Sequence, residues 1–169
     1  AVFIIVAFFV SFNKKDSAKI KIGVLAPLTG VVADYGEEIK KGILATASST
    51  DMTGVEFVFE DDKCESKEAV SAFNKLVSVD KVTVILGPAC GSPQEAVVPL
   101  IKDNSAVVLV MSAASKGLYE KSEGNFFNIQ YSLEGESTFN ALKMNEMGYK
   151  KVALVTYRNA FSNTHAKAF

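Results

Sequence analysis

The side chains of this sequence that could do chemistry are small and hydroxylic, and they fall in four short stretches. These are Pro27-Leu28-Thr29-Gly30, Asp61-Asp62, Pro88-Ala89-Cys90-Gly91-Ser92 and Ser112-Ala113-Ala114-Ser115. None pairs a nucleophile with a base, and none has metal-ligand spacing. The single histidine, His165, does not supply the base or metal set that an enzyme would need. What these stretches offer is hydrogen-bond donation. Ser92-Pro93-Gln94-Glu95 reads as a helix start, with Ser as the cap, Pro in the first turn and Glu at the third position. Free N–H groups and the helix dipole converge at such a start and suit an anionic ligand. A binding module is expected, with no catalytic residue, no metal and no cofactor.

The elements that must position these stretches alternate. Strands are predicted over Lys19–Leu25, Val55–Glu60, Val82–Leu86, Ala106–Met111, Phe126–Gln130 and Lys151–Thr156. Val82–Leu86 is a continuous apolar run, as a parallel strand covered on both faces requires. Helices are predicted between them. Asp34 stands where it could cap the first, with Glu37 three residues on. Ala69, Ala72, Phe73, Leu76 and Val77 make one apolar face of the second. A later helix spans about Leu133 to Met147 and stops at Gly148. This alternation predicts an α/β fold with βαβ units and a doubly wound parallel sheet. Such sheets bind ligands beyond the carboxyl ends of their strands, where the four stretches lie. Asp61 and Asp62 read as solvated loop acids, Phe126-Phe127 as core strand, and His165 as a solvated helix residue.

Composition narrows the function. Lys+Arg number 18 against 19 Asp+Glu, so there is no basic stripe for nucleic acid. Residues 1–10, AVFIIVAFFV, are almost purely apolar. That length fits the hydrophobic region of a signal peptide and is short for a membrane span. Residues 1–18 therefore read as a cleaved secretory signal or as the remnant of a membrane anchor, with a buried first strand as the third alternative. Either of the first two exports the rest of the chain. Cys64 and Cys90 agree with export, since an oxidising compartment would let them pair. Counting alone leaves two unpaired buried thiols open.

Several segments, in order, carry a family resemblance: KIGVLAPLTGVVADYGEEIKKGI, DDKCESKEAVSAFNKLV, VILGPACGSPQEAVVPLI, LVMSAAS and GYKKVALVTYRNAF. Together they resemble the extracytoplasmic solute-binding proteins of the leucine/isoleucine/valine class, over nearly the whole chain past residue 19. The resemblance implies the type I periplasmic-binding-protein fold, two α/β lobes closing on a solute. Residues 19–130 would form the first lobe and residues 131–169 the truncated beginning of the second. It also implies a Cys64–Cys90 disulfide.

The resemblance further implies a ligand set. Tyr35 matches a cleft-lining aromatic of the first loop. Gly91 stands where close relatives have Ser, and Ser92 is placed to take over. Ala113 would offer its carbonyl, and Ser115 its hydroxyl and N–H. Phe161 matches a second-lobe aromatic, and the carboxylate that meets the ligand's ammonium would lie beyond Phe169. The implied partners are an amino acid or similar small carboxylate and the membrane permease of an ABC importer. The implied location is periplasmic or otherwise extracytoplasmic. A sensory ectodomain that uses the same fold to signal is the competing function.

Overall fold

The computed structural model describes residues 19–169, so the readings placed on residues 1–18 lie outside the described residues. Five strands form one sheet: β1 (Ile20–Ala26), β2 (Val55–Asp61), β3 (Val84–Leu86), β4 (Val107–Val110) and β5 (Phe126–Asn128). All pairings are parallel and the order is β2-β1-β3-β4-β5. The helices are α1 (Ala33–Ser49), α2 (Ser66–Ser78), α3 (Gly91–Ile101), α4 (Lys116–Lys121), α5 (Leu133–Glu146) and α6 (Ala160–Ala168). The expected doubly wound α/β sheet is present, and its order reverses between β1 and β3. Loops leaving those two strands diverge to opposite sides and open a crevice there.

The main core lies between the sheet and helices α2, α3 and α4. Phe73 and Leu76 of α2, Val97, Val98 and Ile101 of α3, and Leu118 of α4 meet Leu25, Ile85, Val108, Val110 and Phe126 of the sheet. The period-3.6 face read on α2 is the face that is buried. On β5 the alternation separates two aromatics. Phe126 is buried in this core, whereas Phe127 on the opposite face is half exposed.

Three local readings need correction. Asp34 does not cap α1: the helix starts at Ala33 behind Val32, without a side-chain cap. Gly36 explains the entry geometry instead. A Cβ there would lie 2.1 Å from the carbonyl oxygen of Pro27, so only glycine lets α1 approach the loop after β1. Nor does Ser92 cap α3, which begins one residue earlier at Gly91, with Cys90 in the cap position. Lys151–Thr156 forms no strand. Among the described residues no neighbouring strand takes up its backbone groups, and an apolar run without a sheet partner does not make a strand.

Candidate functional site

A cavity of about 480 Å³ opens at the carboxyl ends of β1 and β3. Val31 and Val32 form one wall, Cys64 and Cys90 another, and the start of α3 (Gly91 and Ser92) a third. Tyr157, Asn159 and Phe161 close the far side, with Lys63 and Glu65 also lining the space. The first-turn N–H groups of a helix have no intrahelical acceptor. Pro93 has no N–H and the Gln94 N–H donates to the Cys90 carbonyl, so the start of α3 brings the Gly91 and Ser92 N–H groups to a mainly apolar cavity.

The walls are held by polar clamps between loops. Cys64 and Cys90 are disulfide-bonded, with Cα atoms 5.5 Å apart, which ties the loop after β2 to the start of α3. Asp61 braces the loop after β1. Its carboxylate accepts hydrogen bonds from the N–H groups of Leu28, Thr29 and Lys63 and from the Thr29 hydroxyl. Partial burial raises its pKa, but the Thr29 hydroxyl and these N–H donors outweigh that, and the net shift is downward. Gln94 is buried on the inner face of α3. Its amide donates to the Pro88 carbonyl and to Ser112 Oγ, which in turn donates to the Ala89 carbonyl at 2.7 Å. One amide thus joins the loops after β3 and β4.

Asp62 is fully buried rather than solvated. Oδ1 accepts from the Cys64 N–H at 2.8 Å, and Oδ2 has no partner among the described residues. Burial raises its pKa to about 6, the Cys64 N–H opposes that rise, and the charge on Asp61 adds to it. The turn it supports places Lys63 and Cys64 in the left-handed region, at φ 50° and 61°. Such backbone is uncommon outside glycine, and the Asp62 hydrogen bond and the disulfide both anchor it.

The residues singled out in the sequence divide among neighbouring spaces. Gly91, Ser92 and Phe161 share the 480 Å³ cavity. Ser115 lines an adjacent cavity of about 390 Å³ with Glu134, Thr164, Lys167 and Ala168. A gap of about 10 Å³ lies between them, lined in part by Gly91, Ser115, Phe161 and Thr164. Tyr35 is half exposed on α1 and lines none of these spaces, nor does Ala113, which is buried. His165 is packed rather than solvated. Its ring stands edge-on to Phe161 with centroids 4.6 Å apart, and Nδ1 lies 2.6 Å from Ser137 Oγ.

Sequence reasoning missed Glu134. From the first turn of α5, its carboxylate accepts the Ser115 hydroxyl at 2.7 Å and the Lys116 N–H at 3.1 and 3.0 Å. Burial raises its pKa, but the Ser115 hydroxyl and the backbone N–H donors prevail and hold it below the usual range. Nothing local marks this residue, because its partners lie 18 and 19 positions away. Gln94 did carry a signal: with Val97, Val98 and Ile101 it falls at i, i+3, i+4 and i+7, on the apolar face of α3.

A family model described as periplasmic binding protein matches residues 19–169. The Leu/Ile/Val-binding protein homolog 3 of Brucella melitensis is 29% identical over 168 residues, which is 95% of this chain and 45% of that protein. A leucine-, isoleucine-, valine-, threonine- and alanine-binding protein of Pseudomonas aeruginosa is 30% identical over 116 residues, 65% of this chain and 31% of its own length. A branched-chain amino acid transporter substrate binding protein of Streptococcus pneumoniae, solved with isoleucine, superimposes with a TM-score of 0.73 at 26% identity, over 89% of this chain and 45% of that one. A solute binding protein of an ABC transporter from Rhodopseudomonas palustris, solved with 3,4-dihydroxybenzoic acid, has the same fold. Its TM-score is 0.80 at 24% identity, over 89% of this chain and 42% of that one. The chain thus spans less than half the length of the relatives it matches.

Proposed function

We propose that this chain, which belongs to the periplasmic binding protein family, forms part of the extracytoplasmic substrate-binding component of an ABC importer. It captures an amino acid or a similar small carboxylate and delivers it to a membrane permease. It contributes the first ligand-binding lobe, residues 19–130, and the opening of a second, residues 131–169. The relatives matched in sequence are solute-binding proteins, not enzymes, which supports a non-catalytic role.

The observation that carries this reading is the cavity at the β1/β3 reversal. Its polar lining is the start of α3 with Lys63, Glu65 and Asn159, and its apolar surface is largely Val31, Val32, the disulfide, Tyr157 and Phe161. N–H groups at a helix start hold a carboxylate, and aliphatic and aromatic walls take an apolar side chain. Charge-assisted hydrogen bonds of this kind contribute about 1.5–3 kcal/mol each.

The test is calorimetry on the full-length protein against amino acids and aromatic carboxylates, beside Ser92→Asp. An acid in the first helical turn favours the helix, so the fold is expected to persist while a bound carboxylate is repelled. Wild type is expected to bind at least one compound, and Ser92→Asp to bind it at least tenfold more weakly. Equal binding by both proteins refutes the placement, and no binding by wild type refutes the function.

A further inference from the structure

Asp62 lies behind one wall of the 480 Å³ cavity without lining it. Its backbone N–H donates to the Ala26 carbonyl at the end of β1, and its carbonyl accepts the Glu65 N–H at 2.8 Å. Its side chain accepts the Cys64 N–H. The turn through Lys63, Cys64 and Glu65 is thus folded around one carboxyl group, and all three of these residues line the cavity. Two links carry the turn to the start of α3: the disulfide to Cys90, and the Ser66 hydroxyl, which donates to the Ser92 carbonyl at 3.1 Å.

The surroundings of Asp62 do not welcome a charge. Oδ2 has no partner among the described residues, and a buried ionised oxygen without one is costly. On its own turn, Asp61 repels it, and Lys63 and Glu65 are exposed. The first turn of α2 adds Lys67 and Glu68, neither hydrogen-bonded to it. The loop after β1 (residues 27–32) carries no titratable group, and residues 90–94 carry only the disulfide-bonded Cys90. Two responses remain. Asp62 takes up a proton, or the turn opens until Oδ2 meets water.

We propose that Asp62 is a proton switch on ligand capture: the protonated side chain keeps the Lys63–Glu65 wall closed, ionisation loosens it, and ligand is held more tightly in acid than in mild alkali. The inference rests on the reading of this chain as a ligand-binding lobe and deepens it by its regulation. A ligand seated on this wall keeps water from the turn, so the ionised form is disfavoured further in the bound state. Binding and proton uptake then favour each other reciprocally. Asp62 acts through the wall, as a positioning residue. In the free protein its pKa is raised by burial to about 6, and the bound state lies higher still. Affinity is therefore full below that value, falls as pH rises through it, and levels off once the bound form also ionises.

The experiment is calorimetry on the full-length protein at about pH 5 and about pH 8, with L-isoleucine, L-leucine and 4-hydroxybenzoate as probes. The two amino acids keep their own charge across this range. Wild type is expected to lose about tenfold in affinity for a bound probe between the two pH values. Between them, buffers of different ionisation enthalpy should reveal proton uptake on binding. Asp62→Asn stands in for the protonated side chain and is expected to keep the acid affinity at both values. Wild-type affinity that is equal at both overturns the proposal with no variant needed. So does a pH dependence that survives in Asp62→Asn, which would place the titrating group elsewhere, as at His165 beside Phe161. A second measurement needs no ligand: hydrogen exchange in the segment 62–66, taken as the ratio of wild type to Asp62→Asn. The ratio is expected to be near one in acid and about tenfold in mild alkali. A ratio near one at both values overturns the switch. If wild type binds none of the probes, the binding-lobe reading itself fails, and the exchange ratio still decides whether ionised Asp62 opens the turn.

Discussion

A Cβ atom on Gly91 would stand 3.2 Å from the backbone nitrogen of Phe161 and 3.5 Å from its Cβ. The start of α3 and the start of α6 touch because position 91 carries no side chain. The serine that the family resemblance implies here would therefore push on Phe161 rather than simply add a hydroxyl. Gly91→Ser is expected to destabilise by about 1 kcal/mol, the low end for overpacking, since the displacement needed is a few tenths of an ångström. Gly91→Val should cost more. Urea unfolding midpoints check both, and a Gly91→Ser protein as stable as wild type would show that α6 does not rest on this position.

The Cys64–Cys90 bond closes a loop across 26 positions. In the chain-entropy view its removal lowers stability by about 3–4 kcal/mol. The paired substitution of both cysteines by Ser should show this loss in denaturant midpoint. Reductant should reproduce it in wild type and leave the variant unchanged. The same change frees one wall of the cavity, so ligand affinity is expected to fall with stability.

Asp62 gives stability an unusual pH dependence. Its folded pKa, about 6, lies above the ordinary 3.8. Between those values the folded state holds a proton that the unfolded state has lost. Stability therefore falls as pH rises through this window and stays reduced above it. Asp62→Asn removes the penalty. At pH 7 it is expected to be more stable than wild type by about 1–3 kcal/mol, and below pH 4 the two should coincide. A variant that is less stable at both pH values would mean that the orphaned oxygen has a partner of its own.

Asp61 behaves in the opposite sense. Its pKa is lowered in the folded state, so its stabilisation is present above the unfolded value and is lost as pH falls through the folded one. Asp61→Ala strands the Leu28, Thr29 and Lys63 N–H groups and the Thr29 hydroxyl, some of them able to turn to water. The expected loss at neutral pH is about 1–2 kcal/mol, shrinking in acid. Unfolding curves across the pH range would separate it from Asp62.

These residues show where the sequence was readable. Each of the five strands of the sheet lies within two residues of its expected bounds, because apolar runs between breakers reflect burial directly. The crevice followed from the βαβ alternation, which places binding loops at the strand ends. The clamps were not readable in the same way. Asp61 bonds to Leu28 across 33 positions and Glu134 to Ser115 across 19, and no local pattern encodes a partner that only the folded chain brings near. Short α4 was missed because its six residues are too few for a periodic signal. Lys151–Thr156 was misread because local apolarity cannot report whether a neighbouring strand exists.

That last segment supports a prediction about the longer protein. Val152 and Leu154 are 46% and 48% exposed and Val155 is 95% exposed, against 1% and 0% for Val82 and Ile85 in and beside β3. A segment with this composition is stable when a sheet covers it. The two-lobe proposal supplies that sheet from residues following 169. In a protein ending at Phe169, amides 151–157 are expected to exchange with solvent at nearly unprotected rates while those of β1 and β3 stay protected. In the full-length protein, the same amides are expected to become as slow as those of β1. Hydrogen exchange followed by mass spectrometry on both proteins decides it. Amides 151–157 that exchange fast in both would mean that the segment is a surface connection, and the second lobe would then begin elsewhere.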